Sequence, residues 1–230
     1  LNSTIMAGSL YIVATPIGNL GDISIRAVEI LKSVDYILCE DTRVTRVLLE
    51  HYGIKTSTIS YHQHSEERKL KQIKELLTEG KNLALVTDAG TPGISDPGNM
   101  LVARLVRDLR EVSITLLPGP SAVVAALSIS GFPTDKFIFL GFPPHKKGRR
   151  TFFEEVARAQ YTVAFYESSH RIKKCLGELA SVLGPKRKLC VCRELTKKFE
   201  SVYRGSIGEI VGMNILEKGE FVIVINTIEH

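Results

Sequence analysis

The sequence predicts an α/β protein of two lobes, an N-terminal one on a mostly parallel sheet with flanking helices and a C-terminal one on a mixed sheet. Three observations predict it. Over residues 8–132, short apolar runs alternate with segments of helical periodicity, the pattern of βαβ units. The segment Gly131-Phe132-Pro133-Thr134-Asp135 reads as a linker. Over residues 133–230 the apolar runs become less regular, and two of them, near residues 190 and 200, are spaced as a hairpin.

The elements follow in order. Residues 10–14 read as a strand, and Thr15-Pro16-Ile17-Gly18-Asn19 breaks it. Asp22 is placed to cap a helix carrying Ala27, Ile30, Leu31 and Val34 on one face. A strand over 36–39 precedes a helix near 45–51, which stops at Gly53. Ser65 opens a helix striped by Leu70, Ile73, Leu76 and Leu77, with Gly80 where a C′ glycine belongs. A strand over 82–87 and a loop over 88–96 lead to Pro97 at the first turn of a helix bearing Leu101, Leu105 and Leu109. A strand over 112–117 and a small-residue helix over 121–130 complete the first lobe. In the second, strands are expected over 137–141, 162–166, 189–193, 199–203 and 221–227, and helices near 151–159, 169–183 and 206–214. Ser206 and Glu209 have capping-box spacing.

Composition limits the function classes. With 44% hydrophobic and 24% charged residues in 230, the chain is neither wholly disordered nor collagen-like. No apolar run approaches the roughly 18 residues of a membrane span. Leu1-Asn2-Ser3-Thr4-Ile5 has no basic residue and no long apolar run, so no signal peptide is expected and Met6 reads as the start. The net charge of +5 is too mild to name a polyanionic partner. Cys39, Cys175, Cys190 and Cys192 form no CxxC and lie in apolar stretches, which predicts buried free thiols and a reducing cytoplasm.

Ligands of open α/β sheets bind at the carboxyl ends of the strands. Four loops fall there, over 15–21, 40–43, 88–98 and 118–122, and all but 40–43 are rich in the Gly and Pro that let a ligand approach the backbone. There is no GxGxxG after the first strand, no P-loop, no HExxH and no GxSxG. Of six histidines only His62 and His64 are close together, and no metal is expected. A ligand read by backbone and apolar contacts is favoured.

The motifs Thr15-Pro16-Ile17-Gly18-Asn19-Leu20, Glu40-Asp41-Thr42-Arg43, Asp88-Ala89-Gly90-Thr91-Pro92, Asp96-Pro97-Gly98 and Leu117-Pro118-Gly119-Pro120-Ser121-Ala122 occur in that order. Gly141-Phe142, Tyr166-Glu167-Ser168 with His170-Arg171, Arg193-Glu194-Leu195-Thr196-Lys197 and Lys218-Gly219-Glu220 follow. The ordered set closely resembles the tetrapyrrole methylase family, in its bacterial branch that methylates a cytidine ribose 2′-OH of small-subunit ribosomal RNA. The resemblance implies S-adenosyl-L-methionine as donor, folded in a cleft between lobes, and a homodimer acting on ribosomal RNA or the assembled small subunit. Carried onto this chain, the donor contacts would be Ile17, Gly18, Asp88, Ala89, Gly90, Thr91, Ser121 and Ala122, with Phe165 and Tyr166 on the second lobe. Relatives commonly continue past the last strand into a small helical tail, whereas this sequence ends at His230.

Methyl transfer from a sulfonium depends on alignment, and a ribose hydroxyl needs a base or a nearby cation. Asp41 or Glu40 is the expected group that orients or deprotonates it, with Arg43 and Lys197 beside the RNA backbone. The competing readings are a helix-start carboxylate paired to Arg43 and, for Arg193, Glu194 and Lys197, an ion-pair network. The run His145-Lys146-Lys147-Gly148-Arg149-Arg150 predicts RNA phosphate contacts at Lys146, Lys147, Arg149 and Arg150. His170 is expected to cap or pack at a helix start, and residues 66–74 to form the wet face of a helix. Two other functions fit the same fold: a methylase of a tetrapyrrole-type small molecule or a protein, and a non-catalytic donor- or RNA-binding module.

Overall fold

A computed structural model describes residues 7–62 and 67–227. Met6, His64 and the expected helix start at Ser65 lie outside the described residues. The chain divides into two compact units, Leu1–Ser121 and Ala122–His230.

In the first unit, β1 (Ser9–Val13), β2 (Tyr36–Cys39), β3 (Ser57–Ser60), β4 (Leu83–Leu85) and β5 (Ser113–Leu117) pair in parallel in the order β3-β2-β4-β1-β5. Strand alternation sends Leu10 and Ile12 to one face and Val13 to the other. Helices α1 (Ile25–Ser33) and α2 (Thr42–His51) cover the Val13 face with Ala27, Leu31, Leu48 and Leu49. Helices α3 (Glu67–Thr78) and α4 (Asn99–Asp108) cover the other with Leu70, Ile73, Leu101 and Leu105. Each such buried Leu or Ile contributes about 1.5–3 kcal/mol. The chain runs outward from β1 to β2 and β3, then returns to β4 and goes out the other way to β5. The winding therefore reverses between β1 and β4, the place where open α/β sheets leave a crevice at their carboxyl edge.

Local starts differ from the sequence reading in three places. Ser24, not Asp22, caps α1: its hydroxyl accepts the Ala27 N–H at 3.1 Å, while Asp22 ends a 3₁₀ turn over Leu20–Asp22. Helix α2 begins at Thr42 because Asp41 caps it, and α4 begins at Asn99, just beyond Pro97. Strand β3 was not expected; it is a half-exposed edge strand with little apolar signal.

The second unit comprises α5 (Ala122–Ser130), β6 (Phe137–Phe139), α6 (Arg149–Arg158), β7 (Thr162–Ser168), a 3₁₀ turn (Ser169–Arg171), α7 (Ile172–Val182), β8 (Lys188–Arg193), β9 (Ser201–Ser206), α8 (Ile207–Gly212) and β10 (Glu220–Ile225). Its sheet, β6-β7-β10-β8-β9, has one parallel pair, β6/β7, and is otherwise antiparallel, with β8/β9 the expected hairpin. Val163, Phe165, Leu189, Val191, Phe221 and Ile223 pack with α6, α7 and α8. Helix α5 packs against β7, β8 and β10, so the expected boundary at residues 132 and 133 is corrected to Ser121 and Ala122. Gly131 ends that helix with φ +78°, which made it look like a domain edge. Ser206 and Glu209 form the capping box in full, and the four cysteines are free and buried.

Candidate functional site

The loops after β1, β4 and β5 meet at the reversal of winding and are tied through the backbone. The Thr15 N–H donates to the Gly90 carbonyl at 2.9 Å, and the Gly90 N–H returns to the Thr15 carbonyl at 3.1 Å. The buried Thr15 hydroxyl donates to the Thr87 carbonyl at 2.9 Å, and the Thr91 hydroxyl to the Pro120 carbonyl at 3.1 Å. Gly90 holds φ +88°, and a Cβ there would lie 3.6 Å from Ile17 Cγ2. A side chain would thus occupy the space over the loop that glycine leaves open. The expected donor residues Ile17, Gly18, Asp88, Ala89, Gly90, Thr91 and Ser121 all lie on these first-unit loops.

Beside them is a polar recess of about 420 Å³ lined by Glu40, Asp41, Thr42, Arg43, Ser60, His62 and Asp88. The parallel sheet places it, since the ends of β2, β3 and β4 lie side by side. It brings together three of the four expected catalytic residues. Asp41 caps α2 by accepting the Arg43 N–H at 2.8 Å, and its carboxylate grips the Arg43 guanidinium at 3.0 and 2.6 Å. That guanidinium holds the Asp41 carboxyl well below the usual carboxylate range, so Asp41 is a poor proton acceptor. The structure shows Asp41 as helix cap and as partner of Arg43. Asp88 accepts the Asp41 N–H at 3.3 Å, and His62 Nε2 lies 3.0 Å from the Ser60 hydroxyl. Ser60 was missed because β3 was missed.

The fourth residue, Lys197, belongs to the second unit, where it binds Glu194 at 3.0 Å and Glu220 at 2.7 Å. Burial works against its charge, but the two carboxylates outweigh it and raise its pKa. Lys197 is therefore a standing cation in an ion-pair network. Arg193 is buried, donating to the carbonyls of Lys218 and Phe199.

The donor residues expected in the second unit divide. Ala122 opens α5, and Tyr166 is half-buried between Phe139 and Phe142, with ring centroids at 4.9 and 5.3 Å. The Phe165 side chain is fully buried among those of α6 and α7, since adjacent strand residues face opposite ways.

The basic run also divides. Lys146 and Lys147 are exposed, and Arg150 is exposed beside Glu154 at 2.9 Å. Arg149, expected to meet RNA, is buried instead. Its guanidinium reaches Glu178 at 2.8 Å, Glu167 at 3.2 Å and the Pro144 carbonyl at 3.1 Å. Glu167, itself 1% exposed, also takes Arg171 at 2.9 Å and the Ser168 N–H at 2.8 Å. The Tyr166-Glu167-Ser168 motif with Arg171 thus builds a buried ionic network that fastens the Pro143 and Pro144 carbonyls. His170 is exposed in the 3₁₀ turn.

A two-unit α/β chain with glycine-opened loops at its winding reversal and a carboxylate-rich recess beside them presents the ligand-binding edge of an open α/β sheet. Residues 9–211 match the family model of the tetrapyrrole (corrin/porphyrin) methylases, and the chain belongs to that family. It is an S-adenosylmethionine-dependent methyltransferase, and the backbone-lined loops with Gly90 fit such a donor. A ribosomal RNA small subunit methyltransferase I of Xylella fastidiosa is 48% identical over 223 residues, covering 95% of this chain and 81% of that protein. The protein of the same name from Thermotoga maritima is 42% identical over 221 residues, covering 95% and 98%. Among solved structures, the methyltransferase CobJ superposes with TM-score 0.71 at 18% identity, over 96% of this chain and 95% of that one. The cobalt precorrin-4 methyltransferase CbiF gives 0.67 at 19%, over 95% and 94%. These two share the fold.

Proposed function

We propose that the chain transfers a methyl group to the 2′-hydroxyl of a cytidine ribose in small-subunit ribosomal RNA. The carrying observation is the polar recess of Glu40, Asp41, Arg43, His62 and Asp88 beside the glycine-opened loops, in a chain whose relatives bear the name of a small-subunit ribosomal RNA methyltransferase. S-adenosylmethionine supplies an electrophilic methyl when bound. Ile17, Gly18, Asp88, Ala89, Gly90, Thr91 and Ser121 hold it. Glu40 takes the hydroxyl proton, since Asp41 is spent on Arg43 and the α2 cap. Arg43, Lys146, Lys147 and Arg150 meet phosphates, and the protein works as a cytoplasmic homodimer.

Labelled S-adenosylmethionine given with small subunits or naked RNA tests the reading, followed by mapping of the labelled nucleoside. Label on a cytidine ribose is expected. Label on a porphyrinoid or a protein instead would replace this substrate with the alternative one of the same fold. Under single turnover, Glu40→Gln should slow transfer by about 10²-fold or more; an unchanged rate would remove Glu40 from the chemistry.

A further inference from the structure

A second cavity opens in the first unit on the α2 side of the winding reversal. It measures about 260 Å³ and is lined by Thr15, Pro16, Leu20, Val44, Thr45, Val47, Leu48, Val86, Thr87 and Asp88. Pro16 and Leu20 come from the loop after β1, Val44 to Leu48 from α2, and Val86 to Asp88 from the end of β4. Its walls are aliphatic. Two polar residues of its lining are unexplained: Thr45 and Thr87 are buried, and neither hydroxyl has a hydrogen-bond partner in the structure. A buried hydroxyl without a partner is costly and rare, which points to a partner that arrives from outside. Asp88 lines both this slot and the polar recess, so the two are neighbours.

We propose that this slot receives the pyrimidine base of the target nucleotide, extruded from the RNA, while its ribose lies in the polar recess. The slot assignment rests on the RNA reading above. Three features select a base. A slot of about 260 Å³ has room for one pyrimidine ring. Aliphatic walls suit the flat faces of a base, and the Thr87 hydroxyl supplies one hydrogen bond to its polar edge. Next to an apolar slot for the base, the adjoining carboxylates and Arg43 face the part of a nucleotide that carries hydroxyls and phosphates. Enzymes that act on one nucleotide commonly draw it out of the stack into such a pocket.

The test uses two variants and two readouts on the whole chain. Val47 is 60% exposed on α2, so Val47→Trp narrows the slot from the surface without disturbing the core. Thr87→Val removes the hydroxyl and keeps the shape. Donor affinity is measured by calorimetry, and methyl transfer by labelled donor on the RNA that the wild type modifies. Val47→Trp should raise the KM for RNA by about tenfold or more, and Thr87→Val by about three- to tenfold, both with donor affinity unchanged. RNA carrying a fluorescent pyrimidine at the mapped position should brighten on binding wild type and not Val47→Trp. Loss of donor affinity with unchanged RNA binding would assign the slot to the donor and overturn the proposal. Unchanged KM in both variants would overturn it as well. If the wild type labels no RNA, the functional reading has failed before the variants are compared, and the slot assignment falls with it.

Discussion

Replacing Arg149 by Ala should unfold the second unit far more readily than replacing Lys147 two residues earlier. The Arg149 side chain is 5% exposed, and its guanidinium contacts Glu167, Glu178 and the Pro144 carbonyl while lying 5.1 Å from the centre of the Phe153 ring. Breaking a buried ion pair from one side typically costs about 3–5 kcal/mol, because the partner charge stays buried. Glu167 keeps Arg171 and the Ser168 N–H, which places the cost near the lower end, about 3 kcal/mol. In urea, with a slope of about 1–3 kcal/mol per molar, that lowers the midpoint by about 1–3 M. The chain has no Trp, so far-ultraviolet circular dichroism is the suitable probe. Lys147→Ala, on an exposed side chain, should shift stability by no more than about 0.5 kcal/mol. If Arg149→Ala matched Lys147→Ala in stability and instead lowered the salt dependence of RNA binding, the buried network would be wrong and Arg149 would face the RNA.

The exposed cations should behave in the opposite way. Replacing Lys146, Lys147 and Arg150 together by Ala should reduce the slope of log affinity against log salt by about 0.7–0.9 for each phosphate that is no longer neutralised, with the urea midpoint unchanged. Gly90→Ala forces an L residue to φ +88°, which costs about 1–2 kcal/mol and fills the space near Ile17; calorimetry should show weaker S-adenosylmethionine binding. For Asp41, the folded pKa lies below the unfolded one, so the unfolded chain takes up the proton first as pH falls. Its contribution is present above about pH 4 and lost as pH drops through the lowered value, so Asp41→Asn should flatten the acid limb of a stability–pH curve. Burial pushes the Cys175 thiol up, so it should resist alkylation at about pH 8 in the native protein and react once urea is added.

Much of the architecture is legible because burial imposes a period. The central strands of both sheets stand out as apolar runs, and the stripes of α3 and α4 recur at helical spacing, so these elements are readable from composition and phase. Strand β3 escapes because it is an edge with two exposed residues of four, where pairing to β2 through backbone groups replaces apolar burial. Helix α5 escapes assignment to its unit for a different reason. Val123, Ala126 and Leu127 are buried but Val124 is 58% exposed, so an apolar sequence does not say which sheet the helix covers. The donor loops are legible as Gly and Pro positions, whereas the recess needs β2, β3 and β4 side by side, a relation that only the sheet order supplies.

Arg149 shows how a site residue can be misread when charge is weighed before phase. In isolation the run from His145 to Arg150 is a cluster of cations, and solvation or phosphate binding is the ordinary expectation for it. Its phase says otherwise. Arg149 lies three residues before Phe152, four before Phe153 and seven before Val156, and these are the four buried residues of α6. That spacing is one face of a helix, so once α6 is extended back by two residues from the expected start at Thr151, Arg149 falls on the buried stripe and Arg150 off it. A buried guanidinium then requires carboxylates, and Glu167 in the Tyr166-Glu167-Ser168 motif is the candidate at the end of the neighbouring strand. The same rule applies to α2, where Thr45 lies three and four residues before Leu48 and Leu49 on the buried face. Polar residues in phase with an apolar stripe are therefore the ones to ask about first, since each needs a partner, which in α6 is another side chain.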